Sequence, residues 1–118
     1  MKNYVIFCVF FYMTSLSMFI FSENLDDLVL EPGFKISIYA DKLDSPRQMA
    51  EGKNGTIFVG ERNGRILALR DLDNNGQVDS KIIVADGLTY STGVSLFDGD
   101  LYFSEISKIW KIENIEDW

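Results

Sequence analysis

Residues 54–69 of the chain read NGTIFVGERNGRILAL. Two short runs in it, 56–60 and 65–69, are rich in apolar residues. The three residues 62–64 (RNG) between the runs have the composition of a tight turn. The stretch therefore predicts a β-hairpin.

Further strands are predicted on both sides of this hairpin. In residues 34–39 (FKISIY), apolar side chains alternate with polar ones, as in a half-buried strand. The other predicted strands are 81–84, 101–104 and 108–112. Because no stretch after residue 22 has sustained apolar spacing of three and four, we predict an all-β chain.

The second hairpin repeats the first. Residues 98–112 (DGDLYFSEISKIWKI) match the opening stretch at separations of 43 to 44 residues. The matched positions are Asn54-Gly55 with Asp98-Gly99, Ile57 with Leu101, Val59 with Phe103, Glu61 with Glu105, Ile66 with Ile109 and Leu69 with Ile112. Upstream, Leu43 matches Leu88 and Met49 matches Val94 at a separation of 45. The alternative is two unrelated meanders with similar turns.

A period of ~40–50 residues with about four strands is typical of β-propeller blades. We therefore expect about two blades of a propeller. Because a propeller needs ~4–8 blades to close, we interpret residues 23–118 as the N-terminal part of a larger propeller domain.

The first 22 residues have a separate character. Lys2 precedes an apolar run that extends to Phe21, and no acidic residue occurs before Glu23. This layout predicts a secretory signal peptide at 1–22, with an uncleaved membrane anchor as the alternative. Cys8, the single cysteine of the chain, lies in this run and is interpreted as a small apolar residue. We expect the protein to be secreted or periplasmic, with membrane contact only through this segment if it is uncleaved.

Composition excludes several functions for these residues alone. The 118-residue chain has a formal net charge of −7, which argues against nucleic-acid binding. It contains no histidine, so catalysis by a Ser-His-Asp triad and zinc sites with histidine ligands are excluded. A single cysteine excludes an intrachain disulfide.

The most specific local motif is DLDNNGQVD at residues 71–79. It resembles a calcium loop, with oxygen-bearing side chains at its first, third, fifth and ninth positions and glycine at its sixth. The candidate ligands are Asp71, Asp73, Asn75, Gln77 (through its carbonyl) and Asp79. Position twelve is Ile82 rather than the glutamate of an EF-hand. The alternative is an Asx-rich turn between two strands.

Other polar residues have weaker signals. Glu61 and Glu105 occupy equivalent strand ends. In a propeller, such strand ends lie at one mouth of the ring. The alternative is that both residues are solvated carboxylates beside turns. Arg47 and Arg62 are either polar groups of that mouth or surface charge. Residues 54–56 (NGT) form a glycosylation sequence that we interpret as a hairpin turn.

The order of motifs resembles the sorbosone dehydrogenase family, relatives of the soluble glucose dehydrogenases that depend on pyrroloquinoline quinone (PQQ). The resemblance opens with LEPGFKISIYA at 30–40 and continues through PRQMA (46–50), NGTIFVG (54–60), RILALR (65–70) and the Asp-rich loop. It ends with Gly93-Val94, DGDLY (98–102) and EISKIW (105–110).

This resemblance implies a six-bladed, exported propeller that oxidises a hydroxyl or aldehyde of a sugar or a sugar-derived small molecule, using PQQ with calcium. The family's proton-accepting histidine has no counterpart here, so no catalytic residue is assigned and this fragment is expected to be inactive. The resemblance places Arg47, Glu61 and Arg62 as candidate cofactor-binding residues, and it makes the 71–79 loop a peripheral calcium site. The alternatives are a non-catalytic propeller that binds carbohydrate or protein, and a propeller lactonase with a carboxylate-bound divalent metal.

Overall fold

A computed structural model describes residues 25–117. The predicted signal segment, 1–22, lies outside the described residues. The chain divides into two compact units, Met1–Lys35 and Ile36–Trp118. In the first unit, the described residues comprise a single turn of 3₁₀-helix, Leu25–Asp27, followed by a turn in which Phe34 N donates to Glu31 O at 3.2 Å.

The second unit contains two antiparallel sheets. The first has four strands in the order β1 (Pro46–Glu51), β2 (Ile57–Glu61), β3 (Arg65–Arg70) and β4 (Ser80–Ala85). The second has three strands in the order β5 (Val94–Phe97), β6 (Asp100–Glu105) and β7 (Lys108–Ile112). Each strand pairs with the next along the chain, so both sheets are meanders.

Tight turns with left-handed residues make these meanders possible. Gly64 closes the β2–β3 turn with φ of 98°, and its N–H donates to Glu61 O at 3.0 Å. Asp98 and Gly99 close the β5–β6 turn with φ of 51° and 87°. Glycine and Asx residues adopt this conformation most readily, which explains why they punctuate the repeat.

The main core lies between the two sheets. Register aligns Ala50, Phe58, Ala68 and Ile82 in one row across the first sheet. This face packs against Val94, Leu101 and Phe103 of the second sheet. The sheets approach closely at Gly60, where an added Cβ would lie 3.0 Å from Val94 Cγ2.

A second apolar cluster covers the opposite face of the first sheet. Val59, Leu67 and Leu69 are buried there beneath Tyr39, Ala40 and Leu43. In the repeat, Val59 corresponds to Phe103, which faces the first sheet. Unlike faces of the two sheets therefore meet, and the repeats stack head to tail.

The all-β prediction is confirmed for the described residues, apart from the single 3₁₀ turn. The predicted strands at 56–60, 65–69, 81–84, 101–104 and 108–112 correspond to β2, β3, β4, β6 and β7. The strand predicted at 34–39 is wrong, because no strand of the described chain pairs with it. β1 and β5 precede the Asn54-Gly55 and Asp98-Gly99 turns, where the repeat has a strand in each copy; β1 carries few apolar residues, whereas three of the four residues of β5 are apolar. Among residues 25–117, no helix has the length and apolarity needed to cross a membrane.

Candidate functional site

The β3–β4 loop brings three carboxylates together. Asp71, Asp73 and Asp79 each present one oxygen, and these oxygens all lie within 4.8 Å of one another. Asp73 and Asp79 are exposed, whereas Asp71 is half-buried. Oxygen-only donors at this spacing suit a hard divalent cation such as Ca²⁺, which takes 6–8 oxygen ligands.

Backbone amides hold the loop in this shape. Asn75 N and Gly76 N donate to the two oxygens of Asp71 at 3.1 and 2.8 Å, and Leu72 N donates to Asp79 Oδ2 at 2.7 Å. Two left-handed residues, Asn74 (φ 57°) and Gly76 (φ 85°), turn the chain inside the loop. At its base, Asp79 N donates to Arg70 O at 2.9 Å, so the loop begins and ends on paired strands.

The remaining two predicted ligands lie beside this cluster. The Asn75 side chain donates to Asp73 Oδ2 at 3.0 Å and accepts from Gln77 N at 2.8 Å. Gln77 also lines a shallow groove with Tyr39 and Val78. The structure therefore brings together three of the five predicted ligands by their carboxylates, and the other two belong to the same turn.

Tyr39 is a neighbour of the loop that the sequence analysis did not identify. Its carbonyl accepts from Val78 N at 3.0 Å. Burial and the negative charges of Asp71 and Glu51 raise the pKa of its phenol. No local pattern links Tyr39 to a loop that begins 32 residues later, so only the folded chain reveals this contact.

Glu61 is a buried carboxylate with three hydrogen-bond and ionic contacts. It is 0% exposed at the end of β2. Its Oε1 accepts from Asp44 N at 2.6 Å, and its Oε2 lies 2.8 Å from both Nε and Nη2 of Arg65. Glu61 therefore holds the segment before β1 against the end of β2.

Glu105 makes the equivalent contacts one repeat later. Its Oε2 accepts from Thr89 N at 2.8 Å, and its Oε1 contacts Lys108 Nζ at 3.2 Å and Trp110 Nε1 at 3.3 Å. The Thr89 amide, followed by Lys108, lowers the pKa of this carboxyl. Because Asp44 and Thr89 are 45 residues apart, the repeat extends to the backbone group that each glutamate binds.

The two arginines that were predicted, together with Glu61, to bind a cofactor lie at the surface. Arg47 is exposed in β1, where the pairing of Pro46 and Gln48 with β2 is irregular. Arg62 is exposed in the β2–β3 turn, with its guanidinium carbon 4.6 Å from the centre of the Tyr90 ring. These residues lie at the strand ends opposite the 71–79 loop, so the predicted cofactor and metal residues form two separate groups.

The 54–56 sequence serves as a turn, as expected. Gly52 N donates to Thr56 O at 2.9 Å, and Gly55 has φ of 77°. Glu116 accepts from Lys53 N and Asn54 N at 2.6 and 3.2 Å, which holds this turn to the C-terminal segment.

Comparison with known proteins gives one relative and no family. The chain is 27% identical, over a 124-residue alignment, to an uncharacterized protein of Borreliella burgdorferi. The alignment covers 99% of this chain and 31% of the relative, so the chain spans about a third of that protein's length. No protein-family profile and no solved structure matches the chain.

Proposed function

We propose that residues 23–118 form the first two blades of a β-propeller in an exported, sorbosone dehydrogenase-like oxidoreductase. In this proposal the whole protein oxidises a sugar hydroxyl or aldehyde with PQQ. The present chain supplies scaffold and a calcium-binding loop, and it supplies no catalytic base.

The observation that carries the propeller part is the repeated glutamate. Glu61 and Glu105 each end the second strand of a sheet, and each accepts the backbone N–H of the segment that leads into the first strand of that sheet. Head-to-tail stacking of the sheets supports the same proposal, because only unlike-face contacts can be repeated around a ring. Two independent meanders would have no reason to share this bridging contact.

The dehydrogenase part depends on the order of motifs at 30–110. The Borreliella relative has about three times the length of this chain, which leaves room for further repeats of about 44 residues in a protein of that size. Propellers serve many functions, so the fold alone favours no substrate.

PQQ does not fit the residues of this chain by themselves. Both Glu61 oxygens are engaged with Arg65 and Asp44 in a fully buried position. With no histidine in the sequence, no imidazole can accept a substrate proton. A quinone site would therefore draw on other parts of the whole protein, and no catalytic step is derived from these residues.

Calcium does fit the 71–79 loop. Its three converging carboxylates offer hard oxygen donors, and the amides of Asn75 and Gly76 already fix Asp71. The bound ion would offset the repulsion among three close negative charges and would stiffen the β3–β4 connection.

The test of the enzymatic proposal uses the protein that the gene encodes, including any residues after Trp118. Genomic DNA is read beyond that codon, and the complete product is reconstituted with PQQ and calcium. We expect dye reduction with aldoses or sorbosone, and none from residues 1–118 alone. Failure of the complete protein to reduce dye with any of these sugars overturns the proposal. Hydrolysis of lactones instead would identify a lactonase, and sugar binding without turnover a binding protein.

A further inference from the structure

Three asparagines of the first sheet are each followed by glycine, in Asn54-Gly55, Asn63-Gly64 and Asn75-Gly76. In such a dipeptide the backbone nitrogen of the glycine can attack the asparagine side-chain carbonyl, because a residue without Cβ leaves that nitrogen open to close approach. All three dipeptides lie in turns between consecutive strands. The folded structure therefore decides which of them can react.

Asn63-Gly64 is restrained at both of its reacting groups. Asn63 Nδ2 donates to Asp44 Oδ2 at 2.8 Å, and its Oδ1 accepts from Arg65 N at 3.2 Å. The Gly64 N–H donates to Glu61 O at 3.0 Å, and Gly64 is buried. The side chain cannot turn toward the Gly64 nitrogen without losing both of its hydrogen bonds.

Asn75-Gly76 is exposed but equally restrained. Asn75 Nδ2 donates to Asp73 Oδ2 at 3.0 Å, and its Oδ1 accepts from Gln77 N at 2.8 Å. The Gly76 N–H donates to Asp71 Oδ2 at 2.8 Å. Because its acceptor is a carboxylate, this bond is charge-assisted and holds the nucleophilic N–H more strongly than a carbonyl would.

Asn54-Gly55 has none of these restraints on its side chain. The Asn54 side-chain amide makes no hydrogen bond with any of residues 25–117, and the residue is held by its backbone N–H, which donates to Glu116 Oε1 at 3.2 Å. The Gly55 N–H donates to Gly52 O at 3.2 Å, the longest of the three glycine bonds. Both residues are exposed, and within the described chain the space beside Gly55 is open. The side chain can therefore turn and close a ring.

We propose that Asn54 is a site of spontaneous deamidation in the folded protein and that the fold protects Asn63 and Asn75. The Gly55 nitrogen loses its proton to solvent and bonds to Asn54 Cγ. The Cγ–Nδ2 bond breaks, and Nδ2 leaves as ammonia with a proton from water. The resulting succinimide takes up one water molecule, which opens it at Cγ to give aspartate or at the backbone carbonyl to give isoaspartate. The net reaction consumes water and releases ammonia, so it needs no oxidant or reductant.

The reaction adds a negative charge to the β1–β2 turn. In the repeat, Asn54 corresponds to Asp98, so the aspartyl product already has a counterpart in the β5–β6 turn. Asn54 also lines a polar cavity together with Asp71 and Leu72. Deamidation therefore places a further negative charge beside the 71–79 loop.

This inference is independent of the quinone and calcium chemistry proposed above. The test incubates the unaltered protein, with any residues after Trp118, at mildly alkaline pH without calcium, and a second sample in concentrated urea. Trypsin cleaves after lysine and arginine, so the three asparagines are recovered in the separate peptides 54–62, 63–65 and 71–81. Mass spectrometry measures the replacement of the side-chain NH₂ by OH in each peptide. Synthetic peptides with aspartate or isoaspartate identify the two products.

In the folded protein, we expect Asn54 to react at least tenfold faster than Asn63 and Asn75. In urea the three rates should become similar, because each asparagine precedes glycine and no fold restrains it. Asn54→Gln keeps the amide but needs a larger ring, so its peptide should stay unmodified over the same period. Reaction of Asn63 or Asn75 as fast as Asn54 in the folded protein overturns the proposal. So does an unmodified Asn54 peptide from folded protein when the urea sample has reacted, whatever the outcome of the dehydrogenase assay.

Discussion

The two sheets of this protein carry the same repeat in different surroundings. In the first sheet, apolar clusters cover both faces, and Phe58, Ile66 and Leu69 are buried at 2% exposure or less. In the second, residues 25–117 cover only the face toward the first sheet, and Phe97 and Ile109 are exposed on the other face. Burial at a given position of the repeat therefore depends on the neighbouring repeat, as expected for stacked repeats.

The two glutamates differ in their ionic partners. Both carboxylate side chains are buried, at 0% exposure for Glu61 and 7% for Glu105, but Arg65 beside Glu61 is 31% exposed, whereas Lys108 beside Glu105 is 61% exposed. Both carboxylates bind one backbone N–H of the preceding segment. Because the two carboxylates share this hydrogen bond and differ in the exposure of their ionic partners, the effect of the hydrogen bond can be separated from the effect of the ion pair.

The largest expected difference is between Phe58 and its counterpart Tyr102. Phe58→Ala should lower the free energy of unfolding by about 3–5 kcal/mol, because it leaves a cavity between the sheets. Tyr102→Ala should cost about 1 kcal/mol in dilute protein, since that side chain is only half-buried. Urea unfolding of both variants measures the difference. Equal losses would mean that the outer face of the second sheet is covered in solution.

The next effect compares the glutamates themselves. Glu61→Gln should lower the free energy of unfolding by about 2 kcal/mol, because it weakens charge-assisted bonds at a buried position. Glu105→Gln should cost less, since Lys108 is largely exposed to solvent. Chemical unfolding at neutral pH and low salt checks the order, with Arg65→Lys testing the Glu61 ion pair separately. A larger loss for Glu105→Gln would contradict the role given to the solvent exposure of the ionic partner.

Calcium should stabilise only the repeat that has the carboxylate loop. At ten times the dissociation constant, calcium should add about 1.4 kcal/mol to the free energy of unfolding. Asp73→Asn should reduce this gain, because it removes one of three converging carboxylates. Asp98→Asn removes one exposed charge outside the loop and serves as the control. Thermal unfolding of each variant with and without calcium measures the stabilisation by calcium. An equal stabilisation of the two variants would exclude binding at the loop.

Local patterns predicted the parts of this fold that local chemistry determines. The predicted hairpins match β2–β3 and β6–β7, because in each hairpin two apolar runs are separated by a turn of only two or three residues. The carboxylates of the Asp-rich loop likewise bond to backbone amides of the loop itself, and these side-chain hydrogen bonds span no more than seven residues.

The features that the sequence did not predict depend on pairing between residues far apart in the chain. Residues 34–39 have a strand pattern, but a strand needs a partner, and none of the described strands pairs with them. β1 (PRQMAE) has little apolar character and is a strand because β2 pairs with it. The role of Glu61 depended on Asp44, 17 residues earlier, so the sequence predicted its place at the strand end without its backbone partner.

The smallest expected effect is a pH dependence that originates in the second sheet. The Thr89 amide and Lys108 lower the pKa of Glu105, so its ionised form favours the folded state. This stabilisation is fully present above the ordinary glutamate pKa of 4.5 and is lost as the pH falls through the lower folded value. Glu105→Gln should therefore flatten the loss of stability below about pH 4.5. Glu31→Gln, which changes the net charge equally at an exposed position, should keep the wild-type slope. Urea unfolding across the acid range measures both slopes, and an unchanged slope in Glu105→Gln would show that its bond to Thr89 does not stabilise the fold.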